Sequence, residues 1–150
     1  MKTQLLIEIN KVDAEDIRPL RHSELRKGQD FSTTAYLKDY KEGTFHMAGN
    51  LDCKIVTCAT FYAEKSVKIK SNNAYRLRGM ATSHRFQRKG YARKLMLESF
   101  EELKERGSDM VWCNARLIAV DFYISLGFKI SGDLFNIDGI GPHYYMYKKI

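Results

Sequence analysis

The chain has 150 residues, 44% of them hydrophobic and 29% charged, with a formal net charge of +7. That length suits one domain (residues 1–150) with a real core, and two prolines with no low-complexity tract do not read as a linker or a disordered tail. Cys53, Cys58 and Cys113 form no Cys-x-x-Cys pair, the histidines fall at no metal-ligand spacing, and no apolar run reaches the length of a membrane span; no metal and no membrane role are expected. The cysteines sit in apolar runs and read as reduced buried thiols. The N-terminal run turns acidic too soon for a signal peptide, so a cytoplasmic protein is expected. The positive charge favours an anionic partner without choosing among nucleic acid, acidic peptide and phosphorylated small molecule.

In chain order, residues 4–9 read as a strand ended by Asn10 and Lys11. Asp13 is a helix N-cap with Asp16 three residues on, and Pro19 is placed in the first turn of a short helix reaching Arg26 and stopped by Gly28. Residues 29–42 are polar with isolated aromatics (Phe31, Tyr36, Tyr40), an ordered loop of the kind that often faces substrate. Strands over 44–49 and 54–63, joined through 50–52, make a hairpin, and 64–73 is a connection. The next strand, 75–82, carries Gly79 in its interior, which predicts a bulge or a close backbone approach. A helix follows over 91–106, with Ala92, Leu95, Met96, Phe100 and Leu103 on one face and mostly acidic residues on the other. Then come a buried-type strand over 110–114, a helix over 118–126, a short return at 128–131, a turn region through 138–142 and a last strand over 143–148. Strand, long helix, strand is a parallel crossover. The fold class is therefore α/β, a mixed and mostly antiparallel sheet with one parallel crossover and helices on both faces.

The stretch Gln87-Arg88-Lys89-Gly90-Tyr91-Ala92 lies between a strand and a helix. Free amides at a helix start, a glycine that permits close approach, and the cations Arg85, Arg88, Lys89 and Arg93 together suit a phosphate. The pattern is weak alone, and it is neither a Walker loop nor a three-glycine dinucleotide fingerprint. Tyr123, beside Phe122, reads equally as a packed core aromatic, and Cys113 as a structural thiol.

The order of elements is more specific. A strand ending at Thr82, Gln87-x-x-Gly90-x-Ala92, helix, strand to Asn114, then Ala119-x-x-Phe122-Tyr123-x-x-x-Gly127-Phe128 resembles the GNAT superfamily of N-acetyltransferases. The match is close over residues 75–128, and the tail Gly139-Ile140-Gly141-Pro142-His143-Tyr144 resembles that of a poorly characterised branch. The resemblance implies acetyl-CoA as co-substrate, its pyrophosphate held by Gln87, Arg88, Lys89, Gly90, Tyr91, Ala92 and Arg93, with Met80, Ala81 and Thr82 contributing from the strand end. It implies two catalytic groups: the backbone N–H of Met80, facing the oxyanion, and Tyr123, which returns a proton to the departing thiolate. The family often has Asn seven residues before that Tyr; Arg116 stands here, and Asn114 is the nearest substitute for the coenzyme contact. Arg76 and Arg78 occupy the strand where some relatives carry a Glu, leaving His46, His84, His143 or Glu64 as candidates to take the amine proton.

The function implied is transfer of the acetyl group of acetyl-CoA to a primary amine by direct attack, through a tetrahedral intermediate. Two alternatives stay open: a coenzyme-binding sensor of this fold without transfer, and a nucleic-acid-binding module using the basic patch, which lacks any recognised nucleic-acid motif. No nucleic-acid partner is expected. The acceptor amine and the oligomeric state, a homodimer included, are not specified by any residue.

Overall fold

The computed structural model describes residues 6–150; among them eight strands and three α-helices follow in chain order, with three short 3-10 turns. The chain divides into two compact units, one comprising the residues up to Tyr62 together with Arg78–Glu102, the other Ala63–Leu77 and Leu103–Ile150.

In the first unit, β1 (Glu8–Val12), β2 (Phe45–Leu51) and β3 (Lys54–Ala63) form an antiparallel meander. β1 runs later than the sequence suggested, and residues 4 and 5 of that expectation lie outside the described residues. Asn10 and Lys11 continue the strand because they pair with Ala48 and Met47, and pairing overrides their weak strand propensity. The β2–β3 turn is tighter than expected. Its two residues, Asp52 and Cys53, have φ of 50° and 62°, the left-handed pair that matches the twist of a two-residue hairpin.

Helix α1 (Ala14–Leu25) begins well before Pro19, which stands in its second turn rather than its first. The bond lost there would run to the carbonyl of exposed Glu15, which water can serve. Asp13 N–H donates to the Asp16 carboxylate at 3.1 Å, closing the start of the helix as expected. Ile17 and Leu20 pack with Ala48, Cys58 and Ala81, the last on β4 (Ala74–Thr82). Helix α2 (Tyr91–Glu105) buries Leu95, Met96, Ser99 and Phe100, and its Glu102 meets Lys11 at 2.7 Å. Lys11 and Met47 lie on the sheet face opposite Asn10, Ala48 and Cys58, because strand side chains alternate. The two helices therefore cover opposite faces of this unit's sheet.

In the second unit, the first residues of β4 pair in parallel with β5 (Met110–Arg116), Ala74 opposite Met110 and Arg76 opposite Trp112. After β5 come helix α3 (Val120–Ser125) and the short strands β6 (Lys129–Ile130) and β7 (Phe135–Ile137). β8 (Gly141–Lys149) runs antiparallel to β5 and also pairs with β6 and β7. The sheet is mixed and mostly antiparallel with one parallel pair, as the crossover predicts. Several elements differ from expectation, and β5 itself runs on past Asn114 to Arg116. β7 was not anticipated, Gly141 and Pro142 belong to the last strand rather than to a turn, and α3 is preceded by a 3-10 turn over Leu117–Ala119. The core here is Ala74, Met110, Trp112 and Tyr145, with the last two rings stacked at 5.4 Å.

Candidate active site

The basic turn lies in the first unit. A 3-10 turn over His84–Phe86 ends at Gln87, whose side-chain amide donates to the Thr82 carbonyl at 3.2 Å and ties the turn to the strand end. Arg88 and Gly90 then adopt φ of 62° and 82°. Left-handed residues at alternate positions aim successive N–H groups to one side, which is how a backbone nest receives an anion. The first α2 bond runs from Lys94 N–H to the Gly90 carbonyl at 3.0 Å. The first-turn amides of Tyr91 and Ala92 precede it and have no partner within the helix. Residues 87–90 are exposed, and a Cβ at Gly90 would meet nothing within 4 Å; glycine is there for its φ, not for space. The turn can hold a phosphate by backbone donors, the helix dipole and flanking cations together.

Upstream on β4, Gly79 has φ +63°. Glu64 N–H donates to the Ala74 carbonyl and Ser83 N–H to that of Val56; the two offsets differ by one residue, so β4 carries one residue more than β3 between them. Gly79 absorbs that bulge and rotates the following peptide, which bears Met80 N–H, out of simple strand alternation. Ala81 is buried in the core with its carbonyl accepting from Thr57, and the Thr82 hydroxyl meets that of Thr57 at 3.0 Å. A Cβ on Gly79 would stand 3.0 Å from Tyr36 and 3.3 Å from Arg21 Nε, so the close approach expected at this glycine is found, against a buried ion pair that the sequence did not reveal.

Arg21 is fully buried and grips Asp39 with both terminal nitrogens, at 2.8 and 3.0 Å. It also donates to the Thr34 carbonyl at 2.8 Å and to the Thr60 hydroxyl at 2.6 Å. Asp39 accepts further from Tyr36 N–H at 2.9 Å. Burial pushes the Asp39 carboxyl up, but the Arg21 hydrogen bonds and charge more than offset this and hold it below the usual carboxylate range. His46 completes the chain, with Nε2 at 3.0 Å from the Asp39 carbonyl and Nδ1 at 2.8 Å from the Thr60 hydroxyl. Because a carbonyl only accepts, Nε2 carries the proton and Nδ1 accepts from Thr60.

In the second unit, Tyr123 sits on α3 with its ring against Phe122 and Phe128, centroids 5.3 and 5.2 Å away. It is buried, yet its hydroxyl has no hydrogen-bond partner among the described residues. Burial, then proximity to Cys113, pushes its pKa well above the ordinary phenol value. The same burial pushes the Cys113 thiol up to about 12. Asn114 is half-buried on β5, in register with Tyr145, and Arg116 ends that strand.

A family model described as an acetyltransferase (GNAT) domain matches residues 31–149. The chain belongs to the GNAT acetyltransferases. It is 34% identical to an uncharacterized N-acetyltransferase, YitI, of Bacillus subtilis (strain 168), over 97% of each chain. Among solved structures it is similar to a putative N-acetyltransferase from Lactobacillus plantarum, with a TM-score of 0.76, 18% identity and 98% and 99% of the two chains covered. An aminoglycoside 6'-N-acetyltransferase complexed with coenzyme A also has a TM-score of 0.76, at 12% identity and 95% and 96% coverage. Such identities carry the fold, and the family supplies acetyl-CoA as co-substrate and acetyl transfer as the reaction.

For a GNAT enzyme, the proton carried off the amine needs a route, and the histidines differ sharply in what they offer. His46 has both ring nitrogens committed inside the Arg21 network. His143 Nδ1 lies 2.8 Å from the Gly141 carbonyl. His84 is exposed and 3.4 Å from Glu24. Glu64 is bound to Arg76 at 3.1 Å, and Arg76 lies over Trp112. The Arg21 cluster was missed because its members come from distant parts of the chain; the one sequence signal is a charge at position 21, four residues after Ile17 and next to Leu20 on the apolar stripe of α1.

His46 also gives a pH prediction. Burial lowers its pKa below 6.5, only partly opposed by the Asp39 carbonyl. The unfolded chain then binds more protons than the folded one between the folded pKa and about 6.5, so stability falls as pH drops through that window. Urea midpoints from pH 7 to pH 5 should show this decline, and His46→Gln should flatten it; an unchanged slope in the variant would assign the decline to other groups.

Proposed function

We propose that this GNAT enzyme transfers the acetyl group of acetyl-CoA directly to a primary amine, holding the coenzyme pyrophosphate on residues 87–93. The observation that carries the reading is the turn itself: left-handed φ at Arg88 and Gly90 immediately before the N-terminus of α2. Met80, Ala81 and Thr82 are assigned to the coenzyme on the strand side, and Asn114 takes the contact that Arg116 does not supply. Met80 N–H is assigned to the oxyanion of the tetrahedral intermediate, supported by the Gly79 bulge that reorients its peptide. Tyr123 is assigned as proton donor to the coenzyme thiolate, supported by its place on α3 where the resemblance puts the donor and by a hydroxyl that no described residue is shown to bond. The whole of residues 1–150 acts as one GNAT domain in this reading, in keeping with coverage of 97% of the Bacillus relative. The buried free thiols Cys58 and Cys113 support a reducing, cytoplasmic setting. The basic turn serves the coenzyme and not nucleic acid.

Calorimetric titration with acetyl-CoA is the test. Gly90→Glu should weaken binding by on the order of a hundredfold, combining left-handed strain with a negative charge beside the pyrophosphate. Gly90→Ala isolates the backbone part, because nothing crowds the added methyl, and should cost about tenfold. Saturable binding of an oligonucleotide with no binding of acetyl-CoA would sink the proposal.

A further inference from the structure

We propose that Thr57, on β3, is a positioning residue for coenzyme binding: through Thr82 it fixes where the end of β4 hands the chain to the basic turn. This rests on the assignment of residues 80–82 and 87–93 to the coenzyme, and adds a residue outside the stretch, 75–128, that carries the resemblance. Thr57 is fully buried. Its hydroxyl lies 3.2 Å from the Ala81 carbonyl and 3.0 Å from the Thr82 hydroxyl. A carbonyl only accepts, so the one Thr57 proton goes to Ala81, and Thr57 Oγ1 accepts from the Thr82 hydroxyl. Thr82 in turn accepts at its carbonyl from the Gln87 side-chain amide at 3.2 Å. A chain of hydrogen bonds thus runs from β3 to the first residue of the turn.

A valine would fill the same space with the same preference for a strand, and would leave no buried hydroxyl to satisfy. The hydroxyl is therefore there for its partners, and both belong to the end of β4. Its aim is set from the other side. Gly49 stands opposite Thr57 in the β2–β3 register, and a Cβ there would come 2.6 Å from Thr57 Cγ2 and 2.8 Å from Ile7 Cδ1. Gly49 has no left-handed φ, so glycine is there for space. It seats the Thr57 methyl, and a β-branched side chain with its methyl seated has its hydroxyl aimed. The support matters because the Gly79 bulge interrupts the ladder just upstream. Beyond the bulge, Ser83 N–H donates to the Val56 carbonyl at 2.8 Å, and Thr57 holds Thr82 beside it. The far side of the turn is tied to the same place. Lys94, in the first turn of α2, donates to the Ile7 carbonyl at 3.2 Å, and the Ile7 side chain shares the Gly49 gap with Thr57.

The test titrates acetyl-CoA calorimetrically into Thr57→Val, Thr57→Ser, Thr82→Val and the double variant of Thr57→Val with Thr82→Val. Circular dichroism and urea midpoints follow folding. Thr57→Val should bind about fivefold more weakly, and Thr57→Ser, which keeps the hydroxyl, should recover most of that loss. In the Thr82→Val background, Thr57→Val should add less than about twofold, because the partner through which it acts is gone. Hydrogen exchange gives a second readout without coenzyme. The Ser83 and Phe86 amides, bonded to the Val56 and Ser83 carbonyls, should exchange several-fold faster in Thr57→Val and recover in Thr57→Ser. Unchanged affinity in Thr57→Val overturns the proposal, and with a lowered urea midpoint it reduces Thr57 to a core residue. A loss that Thr57→Ser shares in full, or that persists undiminished beside Thr82→Val, also overturns it. Failure of the unmodified protein to bind acetyl-CoA overturns the coenzyme reading instead, and exchange at Ser83 and Phe86 then decides whether Thr57 holds the strand end.

Discussion

Asp39→Ala is expected to destabilise the protein by about 3–5 kcal/mol, read as a large drop in urea midpoint, because it strands a fully buried guanidinium. The Arg21–Asp39 pair is bidentate, and each partner is satisfied from several directions: Arg21 by the Thr34 carbonyl and Thr60, Asp39 by Tyr36 N–H. Taking the carboxylate away leaves a cation with no counter-charge at a site without water access. It also releases the Tyr36 amide. That is a large part of the stability of any domain this size. A buried ion pair is weak evidence of net stabilisation in itself, because desolvation opposes the attraction. The sharper expectation is therefore comparative. Arg21→Met combined with Asp39→Leu should lose less than Asp39→Ala alone, since the double change removes both charges. A loss under about 1 kcal/mol for Asp39→Ala would mean that Arg21 finds another partner and that the pair does not hold the loop over residues 34–39 to β3.

The same pair explains why half of the candidate site was legible and half was not. Residues 87–93 are contiguous, so the glycine, the cations and the helix start that suit a phosphate can all be read from one stretch. The α2 stripe was legible for a similar reason: Leu95, Met96 and Phe100 recur at the helix period and are buried as that period requires. Arg21, Tyr36 and Asp39 share no period and no motif. What joins them is the packing of α1 on β2 and β3 and the course of the loop after it. Short elements failed for a different reason. β7 has three residues, too few to show alternation, and only pairing with β8 makes it a strand. Pro19 misled because a proline is an economical start to a helix, but an exposed second-turn carbonyl tolerates one as well.

Gly79 ties these pieces to function. Its missing side chain makes room for Tyr36 and Arg21, and the bulge precedes Met80, whose N–H is proposed as the oxyanion donor. A side chain there would strain a left-handed backbone and push on the Tyr36 ring. The proposed coenzyme turn is local in sequence and therefore readable; the Arg21–Asp39 pair is assembled by the fold.

Tyr123→Phe is expected to lower the single-turnover rate of thiol release by on the order of a hundredfold or more, with acetyl-CoA affinity changed by less than about twofold. Phenylalanine keeps the ring contacts with Phe122 and Phe128, so packing is conserved. It removes only a hydroxyl that no described residue bonds. Deleting a hydroxyl that no described residue bonds should change stability by less than about 1 kcal/mol. A core role and a catalytic role thus predict opposite combinations: unchanged rate with unchanged or higher stability for the first, a large rate loss at the same stability for the second. The raised pKa does not argue against proton donation. Burial disfavours every anion nearby, and Cys113, in the same surroundings, is pushed up to about 12. A coenzyme thiolate leaving into similarly buried surroundings would be raised in the same direction. With its pKa raised by burial, Tyr123 stays protonated across the physiological range, as the proposed donor must. An undiminished rate in the variant would remove Tyr123 from the mechanism and leave protonation of the thiolate to solvent.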